Sequence, residues 1–109
     1  MAEKRGAHRI RVHLRASYRS SRTAIEGWVS DLSRHGLFLR TESVDDERGH
    51  DIKLHLDLPG GAVALEGEVV RIDTTPAASG MAIRFGAIGE DTRRQLANFM
   101  IERSYHALH

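Results

Sequence analysis

The sequence predicts a mainly β domain in which six antiparallel strands form a closed or nearly closed split barrel, flanked by a C-terminal α-helix. Two stretches alternate strictly between apolar and polar residues, turn-forming residues separate the short strand-like runs, and a helical pattern occurs only at the end. A chain of 109 residues has the size of one domain. We expect closure because it leaves no strand edge exposed.

The first three strands are predicted in the N-terminal half of the chain. In residues 10–18, the apolar positions Ile10, Val12 and Leu14 alternate with polar ones, as in a half-buried strand. Residues 24–31 and 36–41 are rich in strand-forming side chains, and residues 32–35 join them. The acidic stretch 42–49 is predicted to be a loop.

The other three strands follow that loop. Residues 52–58 alternate most clearly, and Pro59, Gly60 and Gly61 favour a tight reversal into a partner strand over 62–72. Gly67 indicates a bulge in that strand. Residues 81–85 are the predicted last strand. A helix of about three turns then begins near residue 89. One face of this helix contains Leu96, Phe99, Met100 and Arg103, of which the three apolar residues are expected to cover the barrel.

Composition narrows the possible functions. The chain has no cysteine, which excludes disulfides and thiolate metal sites, and its seven histidines show no metal-ligand spacing. A formal net charge of +1 argues against a general nucleic-acid binder. There is neither a signal-peptide pattern nor an apolar run of about 20 residues, so we expect a cytoplasmic protein without membrane insertion.

Two short patterns carry the candidate chemistry. Arg5 and Arg9 are four residues apart just before the first strand, and the turn after the second strand contains Asp31, Ser33 and Gly36. Each pattern alone is common in basic arms and strand connections. Together they suit a guanine nucleotide, because an arginine fork binds phosphate or guanine acceptors and a carboxylate accepts from guanine N–H groups. Ser33 would donate to the ligand, and Gly36 would let a base approach the backbone.

These patterns match RxxxR and D/N-x-S-x-x-G, and on them the chain resembles the PilZ family of cyclic di-GMP receptors. The resemblance covers nearly the whole chain as a single PilZ domain over residues 1–109. It implies a ligand-gripping arm over residues 1–9, a barrel over 10–86, and a helix and tail over 89–109. It also implies that the motif residues bind cyclic di-GMP, that the arm becomes ordered over this ligand, and that an unidentified downstream protein receives the signal.

Three further positions qualify the resemblance. Lys4 precedes the first motif arginine, where a basic residue favours a stacked pair of ligands over one, so one or two molecules per chain are expected. Arg71 stands where the family often has an aromatic residue that packs on the ligand; it is either a stacking guanidinium or an ordinary exposed arginine. His35 replaces a common glycine and is expected to stiffen the turn.

Other functions remain as alternatives. A PilZ-like scaffold without nucleotide binding is the first, and a β-barrel nucleic-acid binder that stacks bases on Trp28 or Phe38 is the second. Trp28 is a ligand platform or a packed barrel aromatic, since the phase of its strand is ambiguous. We expect no enzyme activity and no cofactor, because Asp31, Ser33 and His35 lie too close in sequence to align as a catalytic triad.

Overall fold

The computed structural model describes residues 9–21, 23–42, 49 and 51–107. Within these residues the chain forms a closed antiparallel barrel and one C-terminal helix, which confirms the predicted fold class. The elements are β1 (Ile10–Arg19), β2 (Ala24–Leu32), β3 (Gly36–Arg40), β4 (Asp51–Leu58), β5 (Gly61–Asp73), β6 (Gly80–Phe85) and α1 (Glu90–Ala107).

The strands follow the order β1-β2-β3-β6-β5-β4 around the barrel, and β4 closes it by pairing with β1. Leu58 pairs with Gly61, so the predicted hairpin forms with Pro59 and Gly60 as its two-residue turn, and Gly61 already belongs to β5. All six pairings are antiparallel. Neighbouring strands therefore place their side chains in continuous rows across the outer surface.

The barrel interior is filled by the apolar positions of the alternating strands. In β4 every second residue is buried, which confirms the predicted phase of 52–58. Tyr18 on β1 and Leu54 on β4 are each 1% exposed, and each fully buried side chain of this size contributes about 1.5–3 kcal/mol. The fully buried side chains of largest volume are Tyr18, Leu32, Leu39, Ile52, Leu54, Leu56, Met81, Ile83, Val29 and Val69.

Gly67 lies in a regular part of β5, so the predicted bulge at this position is wrong. The register runs unbroken through Gly67 and slips between Val69 and Arg71, at Val70. Gly67 has a different role: a Cβ atom there would lie 2.4 Å from the carbonyl oxygen of Arg84 on β6. Glycine therefore permits the close approach of two strand backbones.

The helix α1 is longer than predicted, with 18 residues. The backbone N–H of Arg93 donates to the carbonyl of Gly89 at 2.9 Å, and Glu90 and Asp91 supply negative charge to the first turn. Leu96 and Met100 are buried against the core and Phe99 is partly buried. These three side chains cover the barrel as predicted, and Arg103 on the same side of the helix is exposed. In the described part of the chain, no helix has the length and apolar character needed to cross a membrane.

The glycines at positions 67 and 60 offer a matched stability test. Replacing Gly67 by alanine places a methyl group against the Arg84 carbonyl, and we expect a loss of about 1–3 kcal/mol in the free energy of unfolding. The control Gly60→Ala meets nothing within 4 Å and should change it by less than about 1 kcal/mol. Urea denaturation measures both; equal effects would contradict the close-approach role.

Candidate functional site

A shallow groove of about 270 Å³ lies on the outer surface of the barrel, across the neighbouring strands β2, β3, β6 and β5 and beside the start of β1. It brings together five of the residues selected from the sequence, namely Arg9, Asp31, Ser33, Gly36 and Arg71. The other lining residues are His35, Leu37, Phe38, Val70, Ala82, Ile83 and Arg84. Lys4 and Arg5 were also selected, but they lie outside the described residues.

One row of cross-strand neighbours forms the middle of this groove. Asp31 on β2 pairs with Phe38 on β3, Phe38 pairs with Ala82 on β6, and Ala82 pairs with Arg71 on β5. The row thus begins with a carboxylate, continues over an aromatic ring and a methyl group, and ends with a guanidinium. An arrangement of this kind offers a hydrogen-bond acceptor, a flat apolar surface and a cation to one planar ligand.

Two register slips turn the polar ends of this row outward. Val29 and Leu32 are both fully buried, although they are three positions apart in β2, because an extra residue is accommodated at Ser30. Asp31 consequently remains only partly buried, on the outer surface. The slip at Val70 has the same effect in β5, where Val70 and Arg71 are both exposed. Bulges are a common means of redirecting side chains at binding sites.

Ser33 builds the turn between β2 and β3. Its hydroxyl oxygen accepts hydrogen bonds from the backbone N–H groups of His35 and Gly36 at 3.1 and 3.2 Å, and the hydroxyl donates to the Gly36 carbonyl at 3.3 Å. The side chain is only 6% exposed. In the structure the single O–H of Ser33 is used inside the turn, and the expectation that Ser33 donates to a ligand stays a prediction.

Gly36 is required by strand packing. A Cβ atom at this position would lie 2.2 Å from the carbonyl oxygen of Ile83 on β6. The N–H of Phe85 also donates to the His35 carbonyl at 2.8 Å, which fixes the turn against β6. The approach of β6 therefore gives a structural reason for glycine, and the expected approach of a base at Gly36 stays a prediction.

Arg71 lies with its guanidinium carbon 5.9 Å from the ring centre of Phe38, a cation–π distance. Ala82 pairs with both residues and lies between them in the strand register. Its small side chain does not block the contact between Arg71 and Phe38. The sequence analysis names Phe38 only as a platform on which nucleic-acid bases could stack. Phe38 alternates with the buried Leu37 and Leu39, and this alternation places its side chain on the outer surface.

Arg84 is the charged groove residue that sequence reasoning missed. It pairs in the register with Gly36 on one side and Glu68 on the other, and its guanidinium donates to the Glu68 carboxylate at 2.7 Å. No pattern distinguished it from other strand arginines. Arg84 lines the same groove as Asp31 and Arg71 because β2, β3, β6 and β5 follow one another around the barrel.

Trp28 belongs to a separate surface cluster. It is 43% exposed and stacks on His13 with ring centres 4.2 Å apart, and Arg15 lies 5.6 Å from its ring centre. The Glu26 carboxylate, 2.8 Å from Arg15, raises the pKa of that guanidinium. Trp28 is thus an outer-surface residue on β2, so its expected alternative as a packed barrel aromatic is wrong. No cluster of metal-ligating side chains occurs among residues 9–21, 23–42, 49 and 51–107.

The closed barrel, its flanking helix and the charged groove over β2, β3, β6 and β5 define a small β-barrel domain with an outer-surface site. A family model described as "PilZ domain" matches residues 3–102. The chain belongs to the PilZ domain family, as its two motifs indicated. A search of the curated proteins gave no match.

Solved structures give the same fold at low sequence identity. The Bacillus subtilis inhibitor of motility MotI/DgrA aligns with TM-score 0.83 and 18% identity, over 96% of this chain and 53% of that one. The Klebsiella pneumoniae MrkH–c-di-GMP complex aligns with TM-score 0.82 and 17% identity, over 97% and 55%. The c-di-GMP-bound PilZ domain of Escherichia coli YcgR gives 0.72 and 15%, over 96% and 98%. This chain spans about half the length of MotI/DgrA and MrkH.

The turn role of Ser33 is testable by stability. We expect Ser33→Ala to lower the free energy of unfolding by about 1–3 kcal/mol, because the backbone N–H groups of His35 and Gly36 lose their acceptor. Ser17→Ala, on the half-buried outer side of β1, serves as the control and should change it by less than about 1 kcal/mol. A Ser33→Ala protein as stable as the control in thermal and urea denaturation would contradict the turn role.

Proposed function

We propose that this PilZ domain is a receptor for cyclic di-GMP. The observation that carries the proposal is the convergence of Arg9, Asp31 and Arg71 on one groove, although they are far apart in sequence. Support comes from two relatives of the same fold, MrkH and YcgR, whose structures are described as c-di-GMP complexes. The ligand has two guanines and two phosphodiesters, so it requires both a carboxylate and cations.

The proposed contacts follow from the side-chain chemistry. Asp31 accepts from guanine N–H groups, while Arg5 and Arg9 form charge-assisted hydrogen bonds with phosphate or with guanine O6 and N7. Arg71 stacks on a base from the opposite rim, where it already lies near Phe38. Ser33 and Gly36 hold the turn that positions Asp31. Lys4 favours a second stacked ligand, so one or two molecules bind per chain.

The proposed function is binding without catalysis. The Ser33 hydroxyl is the obvious candidate nucleophile at the groove, and its hydrogen bonds lie within the turn. The domain therefore acts by changing its surface. We propose that residues 1–9 become ordered over the ligand in the cytoplasm and that a downstream protein binds this new surface. A constitutive scaffold without ligand is the competing function, and the calorimetry below separates the two.

Calorimetric titration tests the receptor function directly. We expect saturable binding of cyclic di-GMP, with GTP as the control ligand giving none. Arg9→Ala should weaken binding at least about tenfold, because a charge-assisted hydrogen bond contributes about 1.5–3 kcal/mol. Arg19→Ala is the matched control, because Arg19 is exposed at the opposite end of β1 and should leave affinity unchanged. A folded wild-type protein without binding heat would favour the scaffold; salt-dependent oligonucleotide binding would favour the nucleic-acid alternative.

Ordering of the N-terminal arm makes a second prediction. Trypsin cleaves after Lys4, Arg5 and Arg9, and these sites should become protected as cyclic di-GMP saturates the protein. The protected fraction, followed by intact mass, should rise with calorimetric occupancy and remain unchanged with GTP. Unaltered cleavage at full occupancy would contradict arm ordering, while leaving ligand binding intact.

A further inference from the structure

Arg84 lies between two different surfaces of the barrel. It lines the groove that contains Asp31 and Arg71, and it also lines a second groove of about 400 Å³ with the acidic residues Asp51, Glu66 and Glu68. Its guanidinium donates to Glu68 at 2.7 Å, and the side chain remains 64% exposed. An exposed ion pair of this kind contributes at most about 1 kcal/mol, so the guanidinium can leave it at little cost.

The register shows where the side chain can move. Across the barrel, Gly36 on β3 pairs with Arg84 on β6, and Arg84 pairs with Glu68 on β5. The carboxylate thus stands on one side of Arg84, and on the other stands a residue without a side chain. The space above Gly36 is part of the candidate ligand groove. Rotation of the Arg84 side chain away from Glu68 therefore carries its guanidinium across Gly36 toward β2, the strand of Asp31.

We infer that Arg84 is a further ligand-binding residue and that Glu68 competes with the ligand for it. This inference rests on the proposed cyclic di-GMP receptor function. When the ligand binds, a phosphodiester oxygen replaces the Glu68 carboxylate as the acceptor of the Arg84 hydrogen bond. Binding includes the loss of the Arg84–Glu68 pair, so Glu68 lowers the affinity of the site. It also frees the Glu68 carboxylate in the second groove, which contains Asp51, Lys53 and Glu66, and thereby changes a second surface.

Substitution of Glu68 gives the most specific test, because the expected change is a gain of affinity. Glu68→Gln should tighten cyclic di-GMP binding about two- to fivefold, since the neutral amide holds Arg84 less strongly. Asp51→Asn is the matched control: Asp51 pairs with Glu68 in the register and carries the same charge, but Arg84 donates to Glu68. Equal tightening by both variants would overturn the competition and indicate a general electrostatic effect.

Substitution of Arg84 completes a double-mutant cycle. Arg84→Ala should weaken binding about tenfold or more, and Arg84→Lys should have an intermediate effect because it retains the charge without the fork. In the double variant Arg84→Ala/Glu68→Gln, the Glu68 substitution should no longer improve the affinity for cyclic di-GMP over that of Arg84→Ala alone. Thermal denaturation of each variant identifies loss of folding, which cannot produce the gain of affinity expected for Glu68→Gln.

The outcomes separate this inference from the receptor function. If the wild-type protein binds cyclic di-GMP and Arg9→Ala weakens binding, the receptor function stands. The Arg84 inference is then overturned if Arg84→Ala binds within twofold of the wild type, or if Glu68→Gln leaves affinity unchanged. If the folded wild-type protein does not bind cyclic di-GMP, both the receptor function and this inference fail.

Discussion

The groove depends on two extra residues in strands that must also fill the barrel core. At Ser30 and Val70 the register slips by one position, while the flanking residues Val29 and Val69 remain fully buried. A regular strand alternates and cannot point two consecutive side chains outward. The slips provide that pair on β2 and again on β5, at the two edges of the groove. Core packing fixes where the two slips occur, and as a result Asp31 and Arg71 lie on the outer surface.

The turn between β2 and β3 connects this groove to the fold. Ser33 satisfies two backbone N–H groups, and Gly36 permits β6 to approach closely. The turn hydrogen bonds and the strand packing account for a serine at position 33 and a glycine at position 36. The D-x-S-x-x-G pattern therefore combines one outward carboxylate with a structural support that holds it at a fixed position. A rigid support of this kind lowers the entropic cost of binding.

The sequence predicts most of the fold because alternation in β1 and β4 reports which side of a strand is buried. It fails at Gly67, since a glycine in a strand can accompany either a bulge or a close backbone approach. It also fails at Arg84, because Gly36, Arg84 and Glu68 become neighbours only when the barrel closes in its particular strand order. The sequence already pointed to Asp31 and Arg71, whereas the position of Arg84 beside the groove required the topology.

Under the proposed receptor function, the charges around the groove would let a shallow surface distinguish its ligand. Arg9, Arg71 and Arg84 line it together with the single carboxylate of Asp31. Their mutual repulsion favours an anion, and Glu68 offsets part of it when the groove is empty. An anion that lacks a group able to donate to Asp31 would meet repulsion from its carboxylate. The proposed ligand, a guanine nucleotide with phosphates, would satisfy both requirements, because its base can donate to the carboxylate while its phosphate faces the cations.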